Sequence, residues 1–290
     1  MSLSHKLGVF AVATLAVLGL STSVQPVGAA PTWAPAATAA IHPGVQTTTA
    51  GAQCTANFVF TDGTDVYIGQ AAHCSGTGGN TATDGCTSGS LPVGTAVTVQ
   101  GASQPGTMVY NSWLTMQNST HETDSETCAY NDLAIVKLNP ADYGKVNPSI
   151  PNFGGPTATS APNPATLDSC YTYGNSSLRQ GITLLSPKQG LVVEVAGGGW
   201  SRTVYTVTPG IPGDSGSGFM NASGQAIGVL STLGLLPLPL SNGVGDLSRE
   251  LAYARSHGFS GVQLVNGTKP FSGNIVTAIL GGGGSLLSRR

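Results

Sequence analysis

The sequence predicts an all-β fold, and three observations carry that prediction. Forty-one glycines and 18 prolines in 290 residues, with aromatics at only 6%, describe short segments joined by many turns. Charged residues make up 8% of the chain, too few for a disordered polymer, so a core of real size is expected. Short β-branched runs recur along the chain, whereas the 3.6-residue apolar period of a helix is credible only once, near the C-terminus. The net charge of −2, without a Lys/Arg cluster, gives no attraction to phosphate backbones. No nucleic-acid partner is expected, and substrate attraction rests on shape and apolar contact.

Residues 1–29 read as a secretory signal peptide: Lys6 precedes an uncharged run over 7–20, and the small residues Val27, Gly28 and Ala29 follow. The run is shorter than the roughly 20 residues that span a bilayer, so the mature protein is expected to be secreted, extracellular and free of the membrane. Residues 30–50, rich in Ala, Pro and Thr and without periodicity, read as an N-terminal arm or propeptide. A first β-rich half is expected over 51–150. In it, residues 57–60 and 66–68 flank a Gly63-bearing turn as a hairpin that ends near His73, and 96–99 and 133–136 are further strands. Prolines 140, 148, 151, 156, 162 and 164 mark the connection to a second half, 165–265. Strands are expected there over 171–173, 182–185, 191–195, 204–207 and 226–230. A helix follows, with Leu247, Leu251 and Ala254 on one face, Asp246 at its positive end and Gly258 closing it. Residues 266–290, with Gly281 to Gly284, read as a mobile tail.

Five cysteines in an exported chain imply two disulfides with one residue left over. Zinc is the rival reading, but no C-x-x-C or H-x-x-x-H spacing supports it, so no metal or cofactor is expected. Glu122, Asp124 and Glu126 alternate without a Gly-bearing loop and read as solvated surface rather than a calcium site.

Three segments carry chemistry. Gly213-Asp214-Ser215-Gly216 sets a serine among glycines that can adopt backbone angles closed to other residues and leave its hydroxyl exposed. Ala71-Ala72-His73-Cys74 follows a strand, with Cys54 upstream at the start of the same hairpin. Asn131-Asp132 leads directly into the apolar strand 133–136 and puts a carboxylate at its mouth. Each alone has an ordinary structural explanation; the conjunction His, Asp, Ser, each beside a strand, does not. The α/β-hydrolase arrangement requires Ser, acid, His in that order and a G-x-S-x-G turn, whereas here Ser217 fills the last glycine position and His73 comes first.

Over roughly residues 50–260 the chain resembles the chymotrypsin-like serine peptidases, secreted bacterial members included. The resemblance implies two packed six-stranded antiparallel β-barrels, 51–150 and 165–265, with a short C-terminal helix and the active site between them. It implies His73, Asp132 and Ser215 as catalytic triad, the N–H groups of Gly213 and Ser215 as oxyanion hole, and Pro209, Gly210 and Ser231 at the substrate. It pairs Cys54 with Cys74; a Cys86–Cys128 bridge, which would tie the long loop of the first half, is expected beside it, leaving Cys170 free. No acidic residue stands at position 209, so an uncharged or apolar side chain is expected at the position before the cut. A peptide or protein substrate and a monomeric enzyme are expected; a catalytically silent, protease-fold binding protein is the alternative. No Ile-Val-Gly-Gly-like start precedes Cys54, so Asp214 needs a partner other than a new amino terminus, with Arg179 and Arg202 as candidates. The stretch from Leu233 to Leu240 fits nothing in the resemblance and is expected to line an apolar pocket, form a buried loop or offer a docking patch.

Overall fold

The computed structural model describes residues 31–79, 82–159, 166–234 and 240–274. The signal-peptide segment and most of the Leu-rich stretch lie outside them.

Eight strands form the first sheet: β1 (Gln46–Thr49), β2 (Ala52–Thr55), β3 (Val59–Thr61), β4 (Val66–Ala71), β5 (Ala96–Val99), β6 (Gly106–Asn111) and β7 (Leu133–Lys137), with the late strand β14 (Gln263–Leu264). Their order is β14-β3-β4-β7-β6-β5-β1-β2, an open sheet where a closed six-stranded barrel was expected. The sheet stays open because β2 spends its free edge on the other half of the molecule. The Thr55 N–H donates to the Ser215 carbonyl at 2.8 Å, and the Gln53 side chain donates to the Gly213 carbonyl at 3.0 Å. At the far edge β14 pairs with β3, so residues 263–264 belong to the first sheet although the sequence places them with the second half. β4, an interior strand between β3 and β7, is buried at every position.

The second unit is a closed barrel in the order β10-β13-β12-β11-β8-β9. Its strands are β8 (Ser169–Tyr173), β9 (Pro187–Ala196), β10 (Ser201–Thr206), β11 (Gly218–Asn221), β12 (Ala226–Gly234) and β13 (Ser241–Asp246). The expected strand over 182–185 is instead a 3₁₀ turn, Thr183–Leu185. The β8–β9 ladder starts only at Tyr173 opposite Pro187, and the intervening chain leaves it to carry Arg179 toward the turn that holds Asp214 and Ser215.

Three short or capped helices complete the fold: α1 (Ser112–Thr115), α2 (Ser125–Tyr130) and α3 (Leu247–Ser256). Asp124 caps α2 by accepting from the Thr127 N–H, and Asp246 caps α3 by accepting from the Arg249 N–H, both at 2.8 Å. A core of Phe58, Phe60, Tyr67, Tyr171, Val229 and Leu251 joins the two units through shared apolar contact.

The two presumed ends of the structure are integral to it. Ile41 is fully buried and makes an isolated bridge to Val146, and Gln46–Thr49 form β1 of the first sheet, so this part of the segment 30–50 is built into the fold. Residues 266–274 are pinned rather than mobile. The Ser272 N–H donates to Phe153 at 2.7 Å, the Gly155 N–H to Lys269 at 3.0 Å, and Phe271 packs edge-on against Tyr171.

Candidate active site

The register of two strands brings His73 and Asp132 together. β4 and β7 pair with Ala71 opposite Leu133, so the residues just beyond those ends, His73 and Asp132, meet. The Ala72 N–H donates to the Asp132 carbonyl at 3.0 Å, and the His73 N–H donates to Asp132 Oδ1 at 2.8 Å. His73 Nδ1 lies 2.7 Å from Asp132 Oδ2, which fixes the tautomer that leaves Nε2 as an acceptor. Burial pulls the imidazole pKa down, but the charge of Asp132 and its hydrogen bond outweigh that, and the net position is above the ordinary 6.5. The Ser231 hydroxyl donates to the same Oδ2 at 2.5 Å. It can do so because β12 carries a bulge against β13, where Leu230 opposes Val244 and Thr232 opposes Gly243, leaving Ser231 as the extra residue turned toward Asp132.

The serine comes from the turn between β10 and β11. The N–H groups of Asp214, Gly216 and Ser217 donate to Ile211, Leu230 and Asp214 carbonyls at 2.9, 2.7 and 3.0 Å. Those of Gly213 and Ser215 have no partner among the described residues. Gly213 holds φ at +95°, a conformation that favours glycine, and a side chain there would also have to displace the Gln53 amide, whose Oε1 would lie 2.4 Å away. Ser215 and His73 line one cleft of about 730 Å³, together with Gly210, Leu230, Leu233 and Asn242. No hydrogen bond joins Ser215 Oγ to His73 among the described residues.

Asp214 is fully buried and finds its partner in Arg179, whose two terminal nitrogens donate to Oδ1 and Oδ2, each at 2.5 Å. The Ser176 and Ile211 N–H groups add bonds at 3.0 and 3.1 Å. Arg202, the other candidate, bonds Asp246 and the Ile227 carbonyl instead. Lys188 Nζ sits 3.6 Å from Asp214, and burial, with Arg179 beside it, holds its pKa down at about 8.

Of the residues expected at the substrate, Gly210 and Ser231 line the cleft. Pro209 does not; it lines a neighbouring surface pocket with Leu178, Arg179 and Ile182, and its carbonyl accepts from Lys188 at 3.4 Å. Disulfides join Cys54 to Cys74 and Cys86 to Cys128; Cys170 is free and buried, its thiol pushed up to about 12 by burial. Three residues at the site escaped sequence reasoning: Asn242, Lys188 and Glu250. The first two stand in polar or mixed segments without a pattern, and Glu250 looks like an ordinary exposed helix residue.

No protein-family model and no curated protein sequence matches the chain. Solved structures do. Protease A of Thermobifida fusca matches with a TM-score of 0.51 at 19% identity, covering 79% of this chain and all of that one. A chymotrypsin from Cellulomonas bogoriensis matches with a TM-score of 0.47 at 17% identity, covering 78% and 98%. The match to the Thermobifida fusca protease gives the chain a chymotrypsin-like fold, with one barrel closed and the other sheet open.

Proposed function

We propose that this chain is an exported serine endopeptidase that works through His73, Asp132 and Ser215. The single observation that carries the reading is the hydrogen-bonded set His73–Asp132–Ser231 facing Ser215 across one cleft. Ser215 Oγ attacks the scissile carbonyl as His73 Nε2 takes its proton, and His73 returns that proton to the leaving amine. Asp132 holds the imidazole tautomer and stabilises its charged form. The unpartnered N–H groups of Gly213 and Ser215 receive the oxyanion, and losing one such donor costs on the order of a hundred-fold in rate or more. Water then releases the acyl group by the same path in reverse.

The substrate side chain before the cut is uncharged or apolar. Gly210, Ile211, Leu230 and Leu233 supply no acid to balance a lysine or arginine, which would be costly to desolvate unpaired. Because Arg179 already neutralises Asp214, the nucleophile turn needs no new amino terminus to form. Two disulfides suit an oxidising, extracellular setting after loss of residues 1–29, and the enzyme acts as a monomer.

The competing reading, a protease fold kept for binding, draws on the lack of a Ser215–His73 hydrogen bond; such bonds often tighten only with substrate in place. A fluorophosphonate serine probe separates the two. Labelling of the wild type that disappears in both Ser215→Ala and His73→Ala is expected; a folded, disulfide-intact wild type that does not label refutes the enzyme.

A further inference from the structure

The peptide that bears the triad acid is held from three sides. The Asn131 carbonyl accepts from Ser112 Oγ at 2.8 Å, and the same oxygen of Ser112 accepts from the Leu133 N–H at 3.1 Å. The Asp132 carbonyl is taken by Ala72. The Asp132 N–H lies just before β7 and has no ladder partner; it donates to Glu250 Oε1, on α3, at 3.1 Å. Glu250 is fully buried, and its Oε2 has no partner among the described residues.

We propose that Glu250 is a positioning residue for the triad: its Oε1 fixes the Asp132 peptide and so the aim of the carboxylate at His73. The inference rests on the serine-protease reading above. A buried carboxylate with one oxygen unmatched would be far costlier than a buried neutral acid, and the surroundings select the neutral form. Burial, then the charges of Asp132 and Asp246, push the Glu250 carboxyl well above its usual range, while the Asp132 N–H and Arg202 oppose them. Tyr110, from β6, is the remaining titratable group that feels it. A neutral acid accepts the N–H without setting a second anion beside Asp132, which would compete with it for the imidazolium. A leucine would fill the space but abandon the N–H, and a basic residue would draw the Asp132 carboxylate away from His73.

The test uses the full chain and three variants. Glu250→Gln keeps a neutral acceptor at the same reach, Glu250→Leu removes it, and Glu250→Asp withdraws it by one methylene. Two readouts are compared: the His73 titration followed by NMR of the imidazole protons, and the second-order rate of the fluorophosphonate reaction. Glu250→Gln is expected to leave both near wild type. Glu250→Leu is expected to drop the His73 pKa toward 6.5 and to slow the probe ~10- to 100-fold, the scale of a small misplacement of a catalytic group. Should Glu250→Leu not fold, Glu250→Asp carries the test, with the same directions. A folded Leu or Asp variant with wild-type titration and rate overturns the proposal. So does a Gln variant that lowers the His73 pKa as far as Leu does, since Glu250 would then act as a second anion. An inert wild type whose His73 titration still responds to Leu and not to Gln would sink the protease reading and leave the positioning role standing.

Discussion

Behind Ser215 the support is ionic, with Asp214 buried between Arg179 and Lys188 and the whole cluster carrying a net positive charge. Behind Asp132 it is almost free of cations: the backbone N–H of His73, the Ser231 hydroxyl and the Glu250 carboxyl surround the acid. In the proposed mechanism the difference follows from what each side must do. Asp132 has to keep its charge available for the imidazolium, and a nearby guanidinium would quench it. Asp214 only has to hold a turn in shape, so a bidentate arginine that neutralises it is the better brace. The same residue type thus receives opposite treatment some eighty positions apart in one chain.

The largest effect expected comes from removing the charge on the cation-free side. Asp132→Asn should cost on the order of 10⁴-fold in kcat, because the wrong imidazole tautomer is then favoured; a loss under tenfold would show that the acid side is not what organises His73. Breaking the ionic side should instead read out as stability. Arg179→Met leaves buried Asp214 with only Lys188 at 3.6 Å and the Ser176 and Ile211 N–H groups, and should cost up to about 3 kcal/mol in urea unfolding, with part recovered in the Arg179→Met, Asp214→Leu double variant. Opening the Cys54–Cys74 bridge, which closes a 20-residue separation and ties the His73 turn to β2, should cost about 3 kcal/mol. Lys188→Met should give the smallest change and the opposite sign, a gain of about 1–2 kcal/mol near neutral pH. With its folded pKa at about 8 and its unfolded one near 10.5, Lys188 binds its proton more tightly in the unfolded chain. Wild-type stability should therefore rise between those two pH values, and the Met variant should lose that rise.

The pH profile sharpens the same contrast. His73 acts as a base only when neutral, and its pKa is raised, so kcat/KM should climb with pH through a value above 6.5. For folding the sign reverses: the charged imidazole is favoured in the fold, so its contribution is full below 6.5 and is lost as pH rises through the folded pKa.

Much of this was legible because apolar strands announce themselves. The hairpin around Gly63, β7 and the α3 face stand where their side-chain periods put them. The strands that escaped are the polar ones. β1 turns Thr47 and Thr49 inward, and β13, Ser-Asn-Gly-Val-Gly-Asp, is buried almost throughout while reading as a loop. Its polar residues are interior because they serve partners: Asn242 accepts the Gly210 N–H at 2.8 Å, and Asp246 pairs with Arg202. The choice between Arg179 and Arg202 was not legible for a related reason. It depends on a loop leaving the β8–β9 ladder, and no local pattern encodes where that loop lands. Residues 182–185 misled in the other direction, since Ile182 and Leu184 are apolar yet more than half exposed.

Asn147 joins the two ends of the described chain: its amide donates to the Ala34 carbonyl at 2.6 Å and to Thr268 Oγ1 at 2.8 Å. Together with β14 on β3, that contact gives the first sheet a partner from beyond the second unit. The first sheet, and with it the half that carries His73 and Asp132, is therefore completed by chain that follows the whole second unit in sequence, so no single cut separates the two units.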